Sequence, residues 1–374
     1  MKNIFSKEHT MVAKGIAICM MLYHHLFVIP ERISCDYTAL LDIIFPNAQH
    51  YLAVMCKMCV CIYVFLSGYG LYRALSGKTF LCMCKQVCIR ILKFMLIYVV
   101  VYVLFVPVGM FTGYYQMDIA ALAKGIFGLG NISGFNNTWW FVNVYITILL
   151  IVPFIVKFLD KGPLVKRITA VLGIFLIYGV NRFVNEKLIV NYFYVYYLSN
   201  MSLWPVMMTL FVGCVCGRYP IYEKMLQFFD KIQNVMIRQR VVVVAMSLMA
   251  LSTIAARMVL IKNATDMKLD FIIVPIFVFS AVSALRRSRL WDFLIILGKH
   301  STVMWLSHAF LCYTYAQKIV FLPFYSELVF VWFLVLSFCI SIVIYLVLIP
   351  INNLLFSDKH RLSFRGYSSL FRAR

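Results

Sequence analysis

Residues 11–30 read MVAKGIAICMMLYHHLFVIP, a twenty-residue run in which Lys14, His24 and His25 are the only basic side chains and no acid occurs. A helix rises about 1.5 Å per residue, so a run of this length crosses roughly 30 Å of hydrocarbon. The run is expected to be a retained first span and not a cleaved leader. Lys14 and two histidines interrupt it, and no small-residue cleavage site separates it from a soluble domain.

Nine further runs of similar character follow, at about 51–72, 90–110, 138–157, 168–182, 195–216, 240–261, 270–285, 300–318 and 327–352. The fifth and eighth are short. Residues 117–129 are apolar but interrupted by glycine, which suits an interfacial segment better than a span. Composition agrees with this pattern, since the 374 residues are 63% hydrophobic and only 13% charged, with a mean hydropathy of +0.89. Soluble domains carry about 25% charged residues. So much apolar surface exceeds what a soluble core conceals, whereas a bilayer is a solvent for it. The expected fold class is all-α, a polytopic membrane protein of about ten transmembrane helices over 1–356, followed by a basic tail over 357–374. Neither the loop at 217–239 nor the tail is long enough to hold a soluble core.

Lys and Arg number 35 against 14 Asp and Glu. Nucleic-acid binding would require those cations on one wet face, but here they punctuate apolar runs. With the N-terminus inside, 26 of them fall in inner segments and nine in outer ones, as the positive-inside tendency requires. Both termini are expected in the cytoplasm, in a plasma or inner membrane. The Cys-x-Cys pairs at Cys59/Cys61, Cys82/Cys84 and Cys214/Cys216 lie mostly within apolar runs, where cysteine behaves as a small hydrophobe. No metal site and no disulfide framework is expected from them.

All fourteen acids lie in loops or at the ends of runs, which leaves histidine as the ionisable group at membrane depth: His24 and His25 in the first run and His308 in the ninth. Eleven residues separate Lys14 from His25. On a helix this places them about 20° from one face and roughly 16 Å apart along the axis, with His24 about 80° away. That face has a cation at its inner end and an imidazole toward its outer end. Arg90 and Lys93, neighbours on one helix face, and Lys299 stand at the same inner level. Each is also an ordinary positive-inside residue taken singly; together they suit phosphates.

These residues belong to a larger pattern. Lys14 through His25, a Lys-x10-His string, resembles the opening motif of the integral-membrane acyltransferase-3 family. Phe65-Leu-Ser67-Gly68 is similar to that family's Phe-x-x-Ser-Gly segment, and Arg90-Ile-Leu-Lys93 to its basic motif at the third span, with Lys where Arg is the closer match. Asn137-Thr138-Trp139-Trp140-Phe141 resembles its Trp-rich opening of a middle span. Leu297-Gly298-Lys299-His-Ser301, followed by Trp305-Leu306-Ser-His308, looks like its late block, with Trp305 in place of Tyr. The resemblance implies an enzyme that moves an acyl group, most often acetyl, from cytoplasmic acyl-CoA to a hydroxyl of a carbohydrate or other envelope molecule. No permanently bound cofactor is implied, and acyl-CoA is the donor substrate.

On that reading Lys14, Arg90, Lys93 and Lys299 hold the coenzyme's phosphates. His25, whose unperturbed pKa is about 6.5, takes the acceptor's proton, and His308 shares that role or orients the acceptor. Ser67, Trp139 and Trp140 are candidate substrate contacts. Helix packing explains Ser67 equally well, and aromatic-belt anchoring explains the two tryptophans. The competing class is a transporter or flippase of a sugar-linked or small-molecule substrate. The lack of acids at depth and of an obvious inverted repeat weighs against it.

Overall fold

The computed structural model describes residues 5–129, 134–161, 163, 165–173, 203–261, 267–286 and 288–355. Helix α1, Lys7–Phe27, begins with a capping box in which the Ser6 hydroxyl accepts the His9 N–H and the His9 ring accepts the Ser6 N–H. It ends just before Pro30, which disfavours helical geometry in the residue ahead of it. The second apolar run is not one helix but two, α2 at Ala48–Cys56 and α3 at Cys59–Leu75. Helix α4, Phe80–Phe111, has 32 residues and is capped by Thr79, so it starts well before the run expected at 90–110.

Helix α5 is Trp140–Asp160, α6 Leu203–Arg218, α7 Val235–Leu260 and α8 Asp270–Leu285. Helix α9 occupies Leu290–Cys312, displaced toward the N-terminus from the 300–318 expected of it, and α10 is Ser326–Leu355. Residues 117–129 form a short helix at Ile119–Lys124 and a wide turn at Gly125–Leu129. Residues 165–173 are helical. The remainder of the fifth run, the start of the sixth and the tail at 357–374 lie outside the described residues.

Six helical units among the described residues are long and apolar enough to cross a membrane: Lys7–Phe27, Ala48–Leu75, Phe80–Phe111, Asn137–Asp160, Val235–Leu260 and Ser326–Leu355. Asp270–Leu285 and Trp204–Arg218 are apolar but shorter. The protein is an all-α membrane protein. Its periphery agrees, since α7 turns Val244, Leu248 and Leu251 outward and α10 turns Val331, Val343 and Leu346 outward. Apolar faces of that extent suit lipid and not water. Helix α1 and the α2–α3 unit are instead enclosed by the others.

Glycines set the closest helix crossings. A Cβ on Gly15 would overlap the Leu294 carbonyl, and one on Gly298 the Met11 carbonyl, so α1 and α9 run parallel with their backbones in contact. Gly68 of α3 and Gly213 of α6 do the same against the Leu210 and Phe65 carbonyls. Helix α1 begins at what is termed the near end of the bundle and finishes at the far end.

The break between α2 and α3 has an identifiable cause. The N–H groups of Lys57 and Met58 fold back to the Val54 and Met55 carbonyls, three residues away, which leaves the Ala53 carbonyl without its helical donor. His24 Nδ1 donates to it at 2.7 Å. The Val54 carbonyl additionally accepts Arg257 Nη1 at 3.0 Å. Arg257 of α7 is itself fully buried and grips Asp270 of α8 in two bonds, Nε to Oδ1 at 2.8 Å and Nη2 to Oδ2 at 3.1 Å. Asp270 stands at the end of its run, as expected of the acids, but not in water. Asp270 opens its helix yet is wholly enclosed, because a guanidinium from the neighbouring helix satisfies both carboxylate oxygens.

Candidate active site

The parallel packing of α1 on α9 places two histidines together. His25 lies ten residues beyond Gly15 and His308 ten residues beyond Gly298, so a crossing that sets the glycines face to face carries both imidazoles to one height. Their ring centroids are 4.7 Å apart. His308 is fully buried, donates from Nδ1 to the Trp305 carbonyl at 2.5 Å, and keeps Nε2 enclosed without a hydrogen-bond partner. His25 Nδ1 shares a hydrogen bond of 3.0 Å with the Tyr313 hydroxyl at the end of α9. A phenol thus orients this imidazole. The acids of the first far-end loop do not: Asp42 instead accepts the Gln49 backbone N–H, and Glu31 and Asp36 are exposed.

On its other side His25 faces a cavity. The face shared by Lys14 and His25 forms one wall, with Met21 between them. The cavity therefore runs for roughly 16 Å along α1, with Lys14 toward the near end and His24, His25 and Lys57 toward the far end. Helix α3 contributes Tyr63 and Ser67, α4 Phe94, α5 Trp140 and Tyr145, and α9 Ser301 and Trp305. The lining combines aromatic and apolar side chains with nearly as many polar and basic ones, so it can enclose an apolar chain and hold charged groups as well.

The other expected site residues are placed as follows. Arg90 is exposed on α4, close enough to interact electrostatically with Lys14 and Tyr145. Lys93 is half-buried one position before the cavity-lining Phe94. Lys299 does not reach the cavity: its side chain is exposed and its carbonyl accepts the Tyr345 hydroxyl at 3.1 Å. Its helix presents Gly298 to α1 and Ser301 and Trp305 to the cavity, which turns position 299 outward. Trp139 is likewise not a lining residue. It is fully buried, with Nε1 donating to the Leu306 carbonyl at 2.9 Å, because it ends the short 3-10 turn ahead of α5 and points into the α9 interface. Trp140, one position on, does line the cavity. Ser67 lines it too and donates to the Tyr63 carbonyl, while Gly68 beside it makes the α6 crossing, so the Ser-Gly pair serves both wall and packing.

Lys57 was not among the sequence candidates. It sits at the break between α2 and α3, half-buried, with Nζ 5.3 Å from the centre of the Trp140 ring. Its position inside an apolar run is the signal that marks it, since a cation at membrane depth is costly unless it has work there. Tyr313 was missed as well, because nothing in its local sequence shows that the end of α9 returns to the end of α1.

A family model described as an acyltransferase domain matches residues 12–348, nearly the whole chain. The chain belongs to that family, the acyltransferase-3 family, and the matched residues include every helix that lines the cavity. No curated protein matches the chain, and no solved structure does.

Proposed function

We propose, from the family and the site together, that the protein transfers an acyl group, acetyl in the first instance, from acyl-CoA to a hydroxyl of a cell-envelope or exported carbohydrate. The observation that carries this reading is the single elongated cavity with Lys14 toward one end and His25 and Lys57 toward the other. Lys14, Arg90 and Lys93 receive the phosphates of the coenzyme at the near end, which faces the cytoplasm. The pantetheine arm lies along the aromatic wall, so that the thioester arrives between His25 and Lys57. Lys299 is left as an exposed positive-inside residue.

In the tautomer whose Nδ1–H donates to the Tyr313 oxygen, His25 Nε2 is the basic nitrogen. It removes the acceptor hydroxyl's proton as the oxygen attacks the thioester carbon. The Lys57 ammonium stabilises the negative charge that develops on the carbonyl oxygen, a contribution that is large where water is excluded. As the C–S bond breaks, the proton held on His25 passes to the departing thiolate, giving free coenzyme thiol and the ester. His308 is a positioning residue that supports the His25 ring from behind.

The test incubates detergent-purified protein with radiolabelled acetyl-CoA and total envelope glycans. The expected outcome is label in glycan with one coenzyme thiol released per acyl group transferred. Movement of glycan across reconstituted vesicles with no label transferred would instead identify a transporter.

A further inference from the structure

At the far end, beyond His25, lies a second cavity. Thr138 lines both cavities, and Tyr313, which lines the outer one, is the residue bonded to His25. Histidine, threonine and tyrosine thus form the partition between the two spaces. Aromatic faces come from Tyr114, Tyr115, Phe135 and Tyr313. Two of the phenols are pinned by their hydroxyls, Tyr115 to the Phe135 carbonyl at 2.6 Å and Tyr114 to the Tyr313 carbonyl at 3.1 Å, which holds the aromatic walls in place.

Two polar groups in this cavity point to a ligand. Asn136 is only 5% exposed, and its side-chain oxygen accepts both the backbone N–H and the hydroxyl of Thr138, at 2.9 and 2.6 Å. Those two donors fix which end of the amide is oxygen, and the Asn136 Nδ2 group is left buried without a partner. A buried donor in that state costs free energy until an acceptor oxygen arrives. The second group is Arg32, whose guanidinium lies 5.1 Å from the centre of the Tyr313 ring. No Asp or Glu lines the cavity, and among the described residues no carboxylate pairs with Arg32. Aromatic faces, an unsatisfied amide donor and an uncompensated cation together suit a hydroxylated ring that carries a negative charge.

We propose that the outer cavity is the acceptor subsite and that it selects an anionic sugar, one bearing a carboxylate or a phosphate. The inference rests on the transferase reading above. The ring packs on the tyrosines, Asn136 donates to a ring or hydroxyl oxygen, and Arg32 binds the anionic group. One hydroxyl passes Thr138 to reach His25. There its oxygen bonds to the acyl carbon, its proton goes to the imidazole, and the coenzyme sulfur leaves and is protonated, so no other reactant is required.

The test measures product formation by the full-length purified protein with acetyl-CoA and three acceptors: methyl α-glucoside, methyl α-glucuronide and glucose 1-phosphate. Binding of acetyl-CoA without any sugar reports the donor site separately. The glucuronide, the phosphate or both should be used with a kcat/KM about ten-fold or more above that of the neutral glucoside, as expected for a charge-assisted hydrogen bond. Whichever anion is preferred identifies its source. Arg32→Gln should reduce that ratio to within about two-fold by raising KM for the anionic sugar. Asn136→Asp keeps the acceptor for Thr138 but replaces the unpaired donor with an oxygen, and should lower transfer to all three sugars. Equal use of neutral and anionic sugars, no change of ratio in Arg32→Gln, or transfer to envelope glycans but to none of the three sugars overturns the proposal and leaves the transferase reading standing. Absence of acetyl-CoA binding and of transfer to any glycan removes the transferase reading itself, and the proposal with it.

Discussion

His24 and His25 are adjacent, but the helix turns them to different partners. The Nδ1–H of His24 is committed to the Ala53 carbonyl, where the second helical unit breaks, while the His25 ring sits between Tyr313, His308 and the cavity. Replacing His24 with Ala leaves a buried carbonyl unsatisfied, a loss of about 1–3 kcal/mol. Thermal unfolding of His24→Ala should therefore shift downward while the folded, inserted enzyme keeps substantial activity. Lys57→Met retains much of the side-chain stem but removes the charge. It should lower kcat on the order of a hundred- to a thousand-fold with the donor KM little altered. A raised donor KM with kcat unchanged would show Lys57 to be a phosphate contact instead. At position 14 Arg should be tolerated better than Ala, since charge is what that end of the cavity requires, although the donor geometry differs.

The Lys14–His25 alignment was legible in the sequence because eleven residues on a helix define a face whatever else surrounds it. The contrast between Trp139 and Trp140 was not, since it depends on where a 3-10 turn gives way to α5. Lys57 could have been found as a cation inside an apolar run, but its use there shows only once the backbone break beside it is seen.

Among the helices, the α1–α9 crossing positions the site, and its glycines are the vulnerable points. Gly15→Val and Gly298→Val each drive a side chain into a backbone carbonyl, so each should force the helices apart, separate His25 from His308 and abolish activity. Gly70 of α3 has nothing near its vacant Cβ position and supplies the control. Gly70→Ala should raise stability by up to about 1 kcal/mol. The Arg257–Asp270 pair makes a separate prediction. Arg257→Met strands a buried carboxylate and should destabilise by about 3–5 kcal/mol, whereas Arg257→Met with Asp270→Leu should recover much of that. The loss that persists reflects the Val54 carbonyl, which no longer has its guanidinium donor. Chemical denaturation of the three proteins in one detergent measures both effects. Hydropathy marked most of these helices because it reports apolar stretches. It does not report a turn within a stretch, as at Lys57, or a helix continuing through polar residues, as α9 does from Leu290 past Asp292 and Lys299.

For the molecule as a whole, cations near one end, a cavity beside them and a second cavity at the far end suit the proposed path of an acyl group across the membrane. On that proposal the coenzyme stays on the near side and the acceptor on the far side. If the near end faces the cytoplasm, a reporter that is active only outside the cell should be silent when fused after Arg374. The central claim is that His25, at the partition between the two cavities, is the base for transfer. Its most direct test is acyl transfer from acetyl-CoA per molecule of membrane-inserted protein, with unaltered protein and His25→Ala measured side by side. The account predicts that His25→Ala inserts normally and loses on the order of a hundred- to ten-thousand-fold in rate, the usual effect of removing a positioned base. Transfer by His25→Ala at the rate of the unaltered protein would contradict it.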